Sequence, residues 1–359
     1  MRIGLAYNQR PTAISTRRDG ALSPHPPLTT DQFVEWDEPE TIAAVADALR
    51  WFGDVVLLEA IGDFPRRLAE ARVDLLFNMA EGLAGPSREA QVPAIAEFLG
   101  VPYTASDPLT LAIALHKGRT KEILRQRGVP TPPFLLVESF GDLSRLDRVE
   151  YPLFLKPAWE GSSKGISAAN RVESSRAAKA RAEHLLATYR QPVLAETYLP
   201  GEEFTVAVLG NDGDARCLPL IRYRFETLPH GALPIMGYEA KWVWDRPEAS
   251  LEVLECPAGI APELAERIQA TAFAAHRAIG CRDWARVDVR LDAEGVPNVL
   301  EINPLPGIIP DPAANSCFPR AAAAAGLSHT ELIQTVVRVA WRRVAGRELA
   351  VPTLAGVAG

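Results

Sequence analysis

The sequence of 359 residues predicts an α/β protein, with a doubly wound parallel sheet in about its first 110 residues and α+β structure beyond. Strand and helix patterns alternate up to Gly100, which implies parallel strands joined by crossover helices. From 134 to 203, short strand patterns surround one long helical pattern. The stretch 284–307, WARVDVRLDAEGVPNVLEINPLPG, reads as two alternating strands joined at a turn.

Residues 1–7 form a short apolar strand, and residues 8–30 a long loop rich in Pro, Arg, Ser and Thr. Loops of that length inside a domain are functional or disordered. In WDEPETIAAVADALRWFG, Asp37 or Glu38 is expected to cap a helix, Pro39 to sit in its first turn and Gly53 to stop it. DVVLLEA is a second strand, FPRRLAEAR a helix, VDLLFNMAEG a third strand and SREAQVPAIAEFLG a helix ending at Gly100. Ligands in such sheets lie beyond the carboxyl ends of strands, near the loops after Tyr7 and Asn78. Residues 106–131 predict one helix with a Gly-Val-Pro stop. YPLFLKPAWEGSSKGISAA predicts strand, glycine-rich turn, strand. ESSRAAKARAEHLLATY predicts a helix, and PVLAETYLPGEEFTVAVLG two strands around a turn. A helix over 261–279 precedes the hairpin, one or two helices close the fold, and VPTLAGVAG is expected to fray.

The net charge of −7 with no compensating basic run argues against nucleic-acid binding. Four scattered cysteines, without a C-x-x-C pair, fit neither a disulfide framework nor zinc and point to a reducing cytoplasm. No apolar run or leader pattern suggests a membrane.

On the first hairpin strand Val287, Val289 and Leu291 alternate with Arg286, Asp288 and Arg290. On the second, Asn298, Leu300 and Ile302 are expected on one face and Val299, Glu301 and Asn303 on the other. Asp288, Glu301 and Asn303 would then gather two carboxylates and an amide oxygen, a set suited to Mg²⁺. EGSSKG (160–165), with Lys156 before it and Lys164 within it, is either a phosphate-binding turn or a plain Gly-Ser hairpin turn. Neither a P-loop nor G-x-G-x-x-G is present. Glu196 and Glu203 suit ribose hydroxyls, and backbone groups from Thr197 to Leu199 a base edge; exposed strand carboxylates are the alternative.

Taken in order, FNMAEG, SREAQVPAIAEFLGVPYTASDPLTLAIALHKGRTKEILRQRGVPTPPF, FLKPAWEGSSKGI, YLPGEEFTVAVL, GYEAKW, WARVDVRLDAEGVPNVLEINPLPG and SCFPRAAAAAGLS resemble the ATP-grasp fold, and more closely the D-alanine–D-alanine ligase family, from Phe77 to about Leu332. The resemblance implies an N-terminal Rossmann-like domain over 1–110, a central ATP-binding subdomain over 111–205, a C-terminal one over 206–350 and a frayed tail over 351–359. It implies ATP as cosubstrate, with Lys117 and Lys156 on its phosphates or adenine edge. Gly161, Ser162 and Ser163 would lie in a mobile lid, Glu196, Leu199 and Glu203 around adenine and ribose, and Lys241 on the γ-phosphate. Asp288, Glu301 and Asn303 would hold two Mg²⁺, with Mn²⁺ as an alternative. Arg286 and the Gly307 N–H would serve the reacting carbonyl, with Ser162 and Ser316 near the substrates. The implied reaction converts a carboxylate to an acyl phosphate, which an amine then attacks. The implied assembly is a homodimer.

The departures from that family fall on substrate-facing segments. AYNQRPTAISTRRDG lacks the glutamate that the ligases place there for an ammonium. NMAEGLAGPSREA rearranges its acids, Trp242 replaces the usual Tyr, and GIIPDPAANS lengthens the loop before Cys317. Replacement candidates are Glu35, Asp37, Glu38 and Glu81 for an ammonium, and Arg17, Arg18, Arg88, Arg222 and Arg224 for carboxylates, with Arg88 preferred. Trp242 also fits as a packing residue under the lid. The expectation is an ATP-dependent carboxylate–amine ligase making a dipeptide or peptide-like amide. The alternatives are an authentic D-alanine–D-alanine ligase and an ATP-binding regulatory protein without catalysis. Intact Arg286, Asp288, Glu301, Asn303 and Lys241 oppose the last.

Overall fold

A computed structural model describes residues 1–11, 33–245 and 251–349. Arg17, Arg18, most of the expected loop at 8–30 and the tail 351–359 lie outside the described residues. Three sheets organise the rest.

The first sheet orders β1 (Arg2–Tyr7), β2 (Asp54–Glu59) and β3 (Leu75–Asn78) as β2-β1-β3, all parallel. Ile3, Leu5, Leu75 and Phe77 cover one face against Ile42, Val45 and Leu49 of α1 (Pro39–Arg50). Ala6, Leu58 and Leu76 cover the other against Phe64 and Leu68 of α2 (Phe64–Ala71) and Val92 and Ala96 of α3 (Gln91–Phe98). Helices on both faces make the sheet doubly wound, as expected. Pro39 opens α1 as expected, but neither Asp37 nor Glu38 caps it by side chain. The Asp37 backbone is instead bonded to Asn8 and Arg10, and Glu38 pairs with Arg10 at 2.6 Å. The stretch expected as one helix is two, α4 (Pro108–Leu115) and α5 (Lys117–Gln126). The chain breaks at His116, whose ring accepts the Arg119 N–H, and the Lys117 N–H bonds Ala158 rather than its own helix.

The second sheet is antiparallel in the order β4-β7-β5-β6: β4 (Phe134–Val137), β5 (Leu153–Pro157), β6 (Arg171–Val172) and β7 (Val193–Thr197). Leu155, Val193 and Ala195 bury against Ala182 and Leu185 of α6 (Ser175–Tyr189), which Ser174 caps. The strand expected directly after the glycine-rich turn is only the short β6. Asn170 intervenes, donating to the carbonyls of Gly165 and Leu155 and tying the loop back onto β5 before pairing starts.

The third sheet runs β11-β10-β8-β12-β13, with β9 also on β8. Its strands are β8 (Glu203–Leu209), β9 (Arg216–Cys217), β10 (Ile221–Tyr223), β11 (Leu254–Glu255), β12 (Trp284–Leu291) and β13 (Pro297–Asn303). Phe204, Val206, Val287 and Val289 bury against Ile268 and Ala272 of α7 (Pro262–Ile279). The opposite face of the hairpin strands looks into a cleft against the second sheet. β7 and β8, expected to meet around a turn, belong to different sheets. The crossing residues are held by Gly201, whose N–H bonds Leu291 O and whose Cβ, if present, would lie 2.6 Å from that oxygen. The last elements are α8 (Cys317–Ala324) and α9 (His329–Ala345). Leu332, Ile333, Val336 and Val337 of α9 join the core of the first sheet, so α9 packs beside α1. Among the described residues no helix is long and apolar enough to cross a membrane.

Candidate active site

The hairpin supplies the floor of the cleft. Asp288 stands directly opposite Glu301, and Arg286 opposite Asn303. Strict alternation on β13 fails, because the register shifts between Asp288 and Val289. Val299 and Ile302 are both in the apolar core, while Leu300 and Glu301 both line the cleft. A bulge places one extra residue on a strand and re-aims its neighbours. The cleft is also lined by Lys156, Gly161, Ser163, Glu196, Leu199, Glu203 and Lys241.

At its inner end Lys156 Nζ lies 2.6 Å from Glu196 Oε1, and Lys121 Nζ lies 2.8 Å from Oε2. Burial alone would raise the Glu196 carboxyl, but the two ammoniums hold it below the usual range. Burial pushes Lys121 down to about 8. Lys121 was not singled out in the sequence. It lies four residues after Lys117 on one helix, the spacing that puts two side chains on one face. Lys117 Nζ reaches Glu301 Oε2 at 3.2 Å and also bonds Glu160 O. Burial would raise the Glu301 carboxyl as well; Lys117, Lys156, Arg286 and Lys241 hold it far below its ordinary value. Among the described residues Lys241, on a π-helical turn at Ala240–Trp244, makes no ion pair.

Asp288 is fully engaged. Its Oδ1 accepts from Thr205 Oγ1 at 2.6 Å and Arg286 Nε at 3.0 Å; its Oδ2 accepts from Arg286 Nη2 at 2.9 Å and Asn303 Nδ2 at 3.3 Å. Two opposed carboxylates with the Asn303 amide beside them fit a hard divalent cation that completes its shell with phosphate and water oxygens. No group of three or more His, Cys, Asp or Glu that could hold a metal occurs among the described residues. Such a cation would therefore need ligands from a bound molecule. Gly307 and Ser316 lie together, with Ser316 Oγ donating to Gly307 O at 3.3 Å.

The glycine-rich loop carries left-handed backbone at Ser162 (φ 46°) and Ser163 (φ 61°), a region that non-glycine residues seldom occupy. Ser163 Oγ donates to Met236 O at 2.6 Å, and Trp242 Nε1 to Ser162 O at 3.1 Å. Residues 234–244 thus roof the cleft and are stitched to the loop, with Arg10 lying over the Trp242 ring at 5.4 Å.

Arg88 does face the loop, but its donors already have protein partners. Nη2 bonds both Glu35 oxygens, at 3.1 and 2.9 Å, and Nη1 bonds Trp159 O at 2.7 Å. Glu35 also takes Lys164 at 2.7 Å. Burial would raise Glu35, yet these cations hold it at about 2. An acid missing from the segment after β1 is thus present in space, beside Gly161. The neighbouring acids behave differently: burial pushes Glu81 well up, Asp37 up to about 8 and Glu89 up to about 7. Arg222 pairs with Glu255 and Glu202, and Arg224 with Glu226; neither lines this cleft.

A test of stability follows from Glu89. Between its ordinary value of 4.5 and its folded value of about 7 the native state holds the extra proton. Its contribution is complete below that window and lost as pH rises through it. Glu89→Gln keeps the neutral form throughout. It is expected to be more stable than the parent by up to about 3 kcal/mol near pH 8, with the difference closing towards about pH 4.5. Denaturant titrations at the two pH values check this; a pH-independent difference would refute it.

Residues 123–338 match the family model described as D-ala D-ala ligase C-terminus. The chain is 35% identical over 352 residues to the uncharacterized protein y4sG of Sinorhizobium fredii, covering 96% of this chain and 98% of that protein. It is 34% identical over 297 residues to the D-alanine–D-alanine ligase of Bordetella avium, covering 82% and 87%. The solved D-alanine–D-alanine ligase from Bacillus anthracis complexed with ATP superposes with a TM-score of 0.67 at 23% identity, covering 96% and 97%. The VanG D-Ala:D-Ser ligase from Enterococcus faecalis superposes with a TM-score of 0.67 at 20% identity, covering 94% and 99%. At such identities the structures speak to the fold alone.

Proposed function

The chain belongs to the D-alanine–D-alanine ligase family of ATP-grasp proteins, ATP-dependent ligases that form C–N bonds, and from that premise we propose that it joins a carboxylate to an amine through an acyl phosphate. The observation that supports this most is the convergence of Lys117, Lys156, Lys241 and Arg286 on Glu301 and Asp288 at one cleft. Phosphoryl transfer needs positioning and charge neutralisation above all, and this set offers both.

In the proposed arrangement Lys156, held by Glu196, and Lys117 take phosphate oxygens, and Lys241 takes the γ-phosphate. Leu199 packs on the base and Glu203 accepts from ribose hydroxyls. Asp288, Glu301 and Asn303 would hold Mg²⁺, which supplies charge neutralisation between phosphate oxygens. Asp288 already accepts from Thr205, Arg286 and Asn303, so sharing a cation would cost it one or more of these bonds. Arg286 and the Gly307 N–H stabilise the oxyanion when the amine attacks, and phosphate departs. The glycine-rich loop and its roof exclude water that would hydrolyse the acyl phosphate. The working units we propose are 1–110, 111–205 and 206–350. Four free cysteines support a reducing compartment.

On the substrate side, burial raises the carboxyls of Glu81 and Glu89 against the opposing pull of nearby Arg88. A substrate ammonium would favour their charged form, which supports an amino-group site beside them. The altered loops favour an amino-acid pair other than two D-alanines. Purified protein with ATP and Mg²⁺, screened against D- and L-amino acids with products weighed by mass spectrometry, tests this. Amide formation with a mixed pair is expected. Product from D-alanine alone would instead establish the narrower D-alanine–D-alanine activity. Bound ATP without amino-acid-dependent phosphate release would favour a regulatory protein.

A further inference from the structure

Arg290 lies on the cleft face of β12, two residues beyond Asp288, and has no part in the scheme above. Its side chain is only 5% exposed. Nη1 donates to both Glu203 Oε2 and Pro234 O, each at 2.9 Å. Nη2 approaches the Tyr198 hydroxyl at 3.4 Å, and the guanidinium lies over the Tyr198 ring at 5.3 Å. The buried Nε has no hydrogen-bond partner among the described residues. A hydrophobic side chain of similar volume would fill this place without desolvating a charge.

The two acceptors of Nη1 belong to different parts of the site. Glu203 is the acid placed towards the ribose, and its Oε1 is left to accept from a hydroxyl. Pro234 opens the roof, which carries Lys241 seven residues later. Other hydrogen bonds of the roof run to the glycine-rich loop, through Ser163–Met236 and the Tyr238 N–H to Ile166 O at 2.9 Å, while Met236 and Ala240 pack into the core with Ile221 and Tyr223. Arg290 adds a charged side-chain tie from the floor to Pro234 of the roof. We propose that Arg290 is a positioning residue that couples ribose recognition by Glu203 to placement of the Lys241 roof, an assignment that rests on the cleft being the ATP site.

The test compares binding of ATP and 2′,3′-dideoxy-ATP to the full chain by calorimetry, with amide exchange of residues 234–241 followed alongside. Wild type is expected to prefer ATP roughly tenfold or more, the worth of a hydrogen bond to a charged group. R290M should weaken ATP alone, bringing the ratio near one, and ATP should no longer slow exchange in the roof. E203Q should lower the ratio similarly, and the double variant should fall no further, because both changes remove one coupled unit. Equal weakening of both nucleotides by R290M, or effects additive with E203Q, would overturn the proposal. So would a wild type that binds the two nucleotides equally. Failure of wild type to bind either nucleotide would instead remove the ATP site itself. Should R290M not fold, R290K offers Glu203 a cation but no planar fork. It should keep part of the preference and lose the roof protection; full protection would count against the proposal.

Discussion

Glu301→Gln is expected to lower ATP-dependent phosphate release by at least about 10³-fold while the protein stays folded. The side chain is partly open to the cleft and belongs to no core cluster, so an amide of the same shape disturbs little packing. Its charge is another matter. Burial opposes ionisation, yet four cations keep the carboxylate ionised far below its ordinary range. Neutralising it leaves Asp288 as the remaining carboxylate of the opposed pair, and Asp288 is already shared between Arg286, Thr205 and Asn303. Both the proposed cation and the phosphate-binding lysines lose their common anion. Phosphate release at saturating ATP, with a thermal scan on the same sample, checks this. Near-parental release would remove Glu301 from the metal site.

Glu196→Ala is expected to cost about 3–5 kcal/mol of stability, since it strands two buried ammoniums that share one carboxylate. Lys121 keeps bonds to Thr131 Oγ1 at 2.8 Å and Val299 O at 3.2 Å, so it stays in place. It is already pushed down to about 8 by burial, and loss of Glu196 pushes it further. A lysine depressed in the folded state binds fewer protons there than in the unfolded chain. Stability of the variant therefore rises with pH from neutrality towards the unfolded lysine value of about 10.4. Denaturant titrations at neutral and alkaline pH test this. A deficit below about 1 kcal/mol, or one that does not shrink with rising pH, would contradict the buried clamp.

Period and turn chemistry made the first sheet legible: β1, β2 and β3 and the helices between them follow directly from alternation and from stops such as Gly53 and Gly100. What local pattern missed was long-range. Nothing in YLPGEEF shows that Thr197 and Glu203 join different sheets, because the decision lies in the close approach of Gly201 to Leu291. The β13 bulge is equally silent, since Val299, Leu300, Glu301 and Ile302 alternate well enough to suggest a plain strand. The helix break at His116 depends on Ala158 taking the Lys117 N–H from another part of the chain.

The site shows the same division. Strand spacing singles out Asp288, Glu301 and Asn303, and they do lie together, but through a bulge rather than the plain alternation the spacing suggests. Lys156 and Glu196 stand out on their own strands, and Lys117 and Lys241 come from motif resemblance; Lys156, Glu196 and Lys241 line the cleft, and Lys117 joins them through Glu301. Arg290 was visible on the face of Arg286 and Asp288, but its partner Glu203 is 87 residues away in the chain. Glu35 is harder still: its value as the meeting point of Arg88 and Lys164 exists only in three dimensions.

Transfer of oxygen from carboxylate to phosphate tests the central claim most directly. The protein is incubated with ATP, Mg²⁺ and an accepted substrate pair whose activated carboxylate carries ¹⁸O, and the released phosphate is weighed by mass spectrometry. An acyl phosphate predicts one ¹⁸O in each inorganic phosphate, with ADP and amide formed in equal amounts. Unlabelled phosphate, or AMP and pyrophosphate in place of ADP, would contradict it.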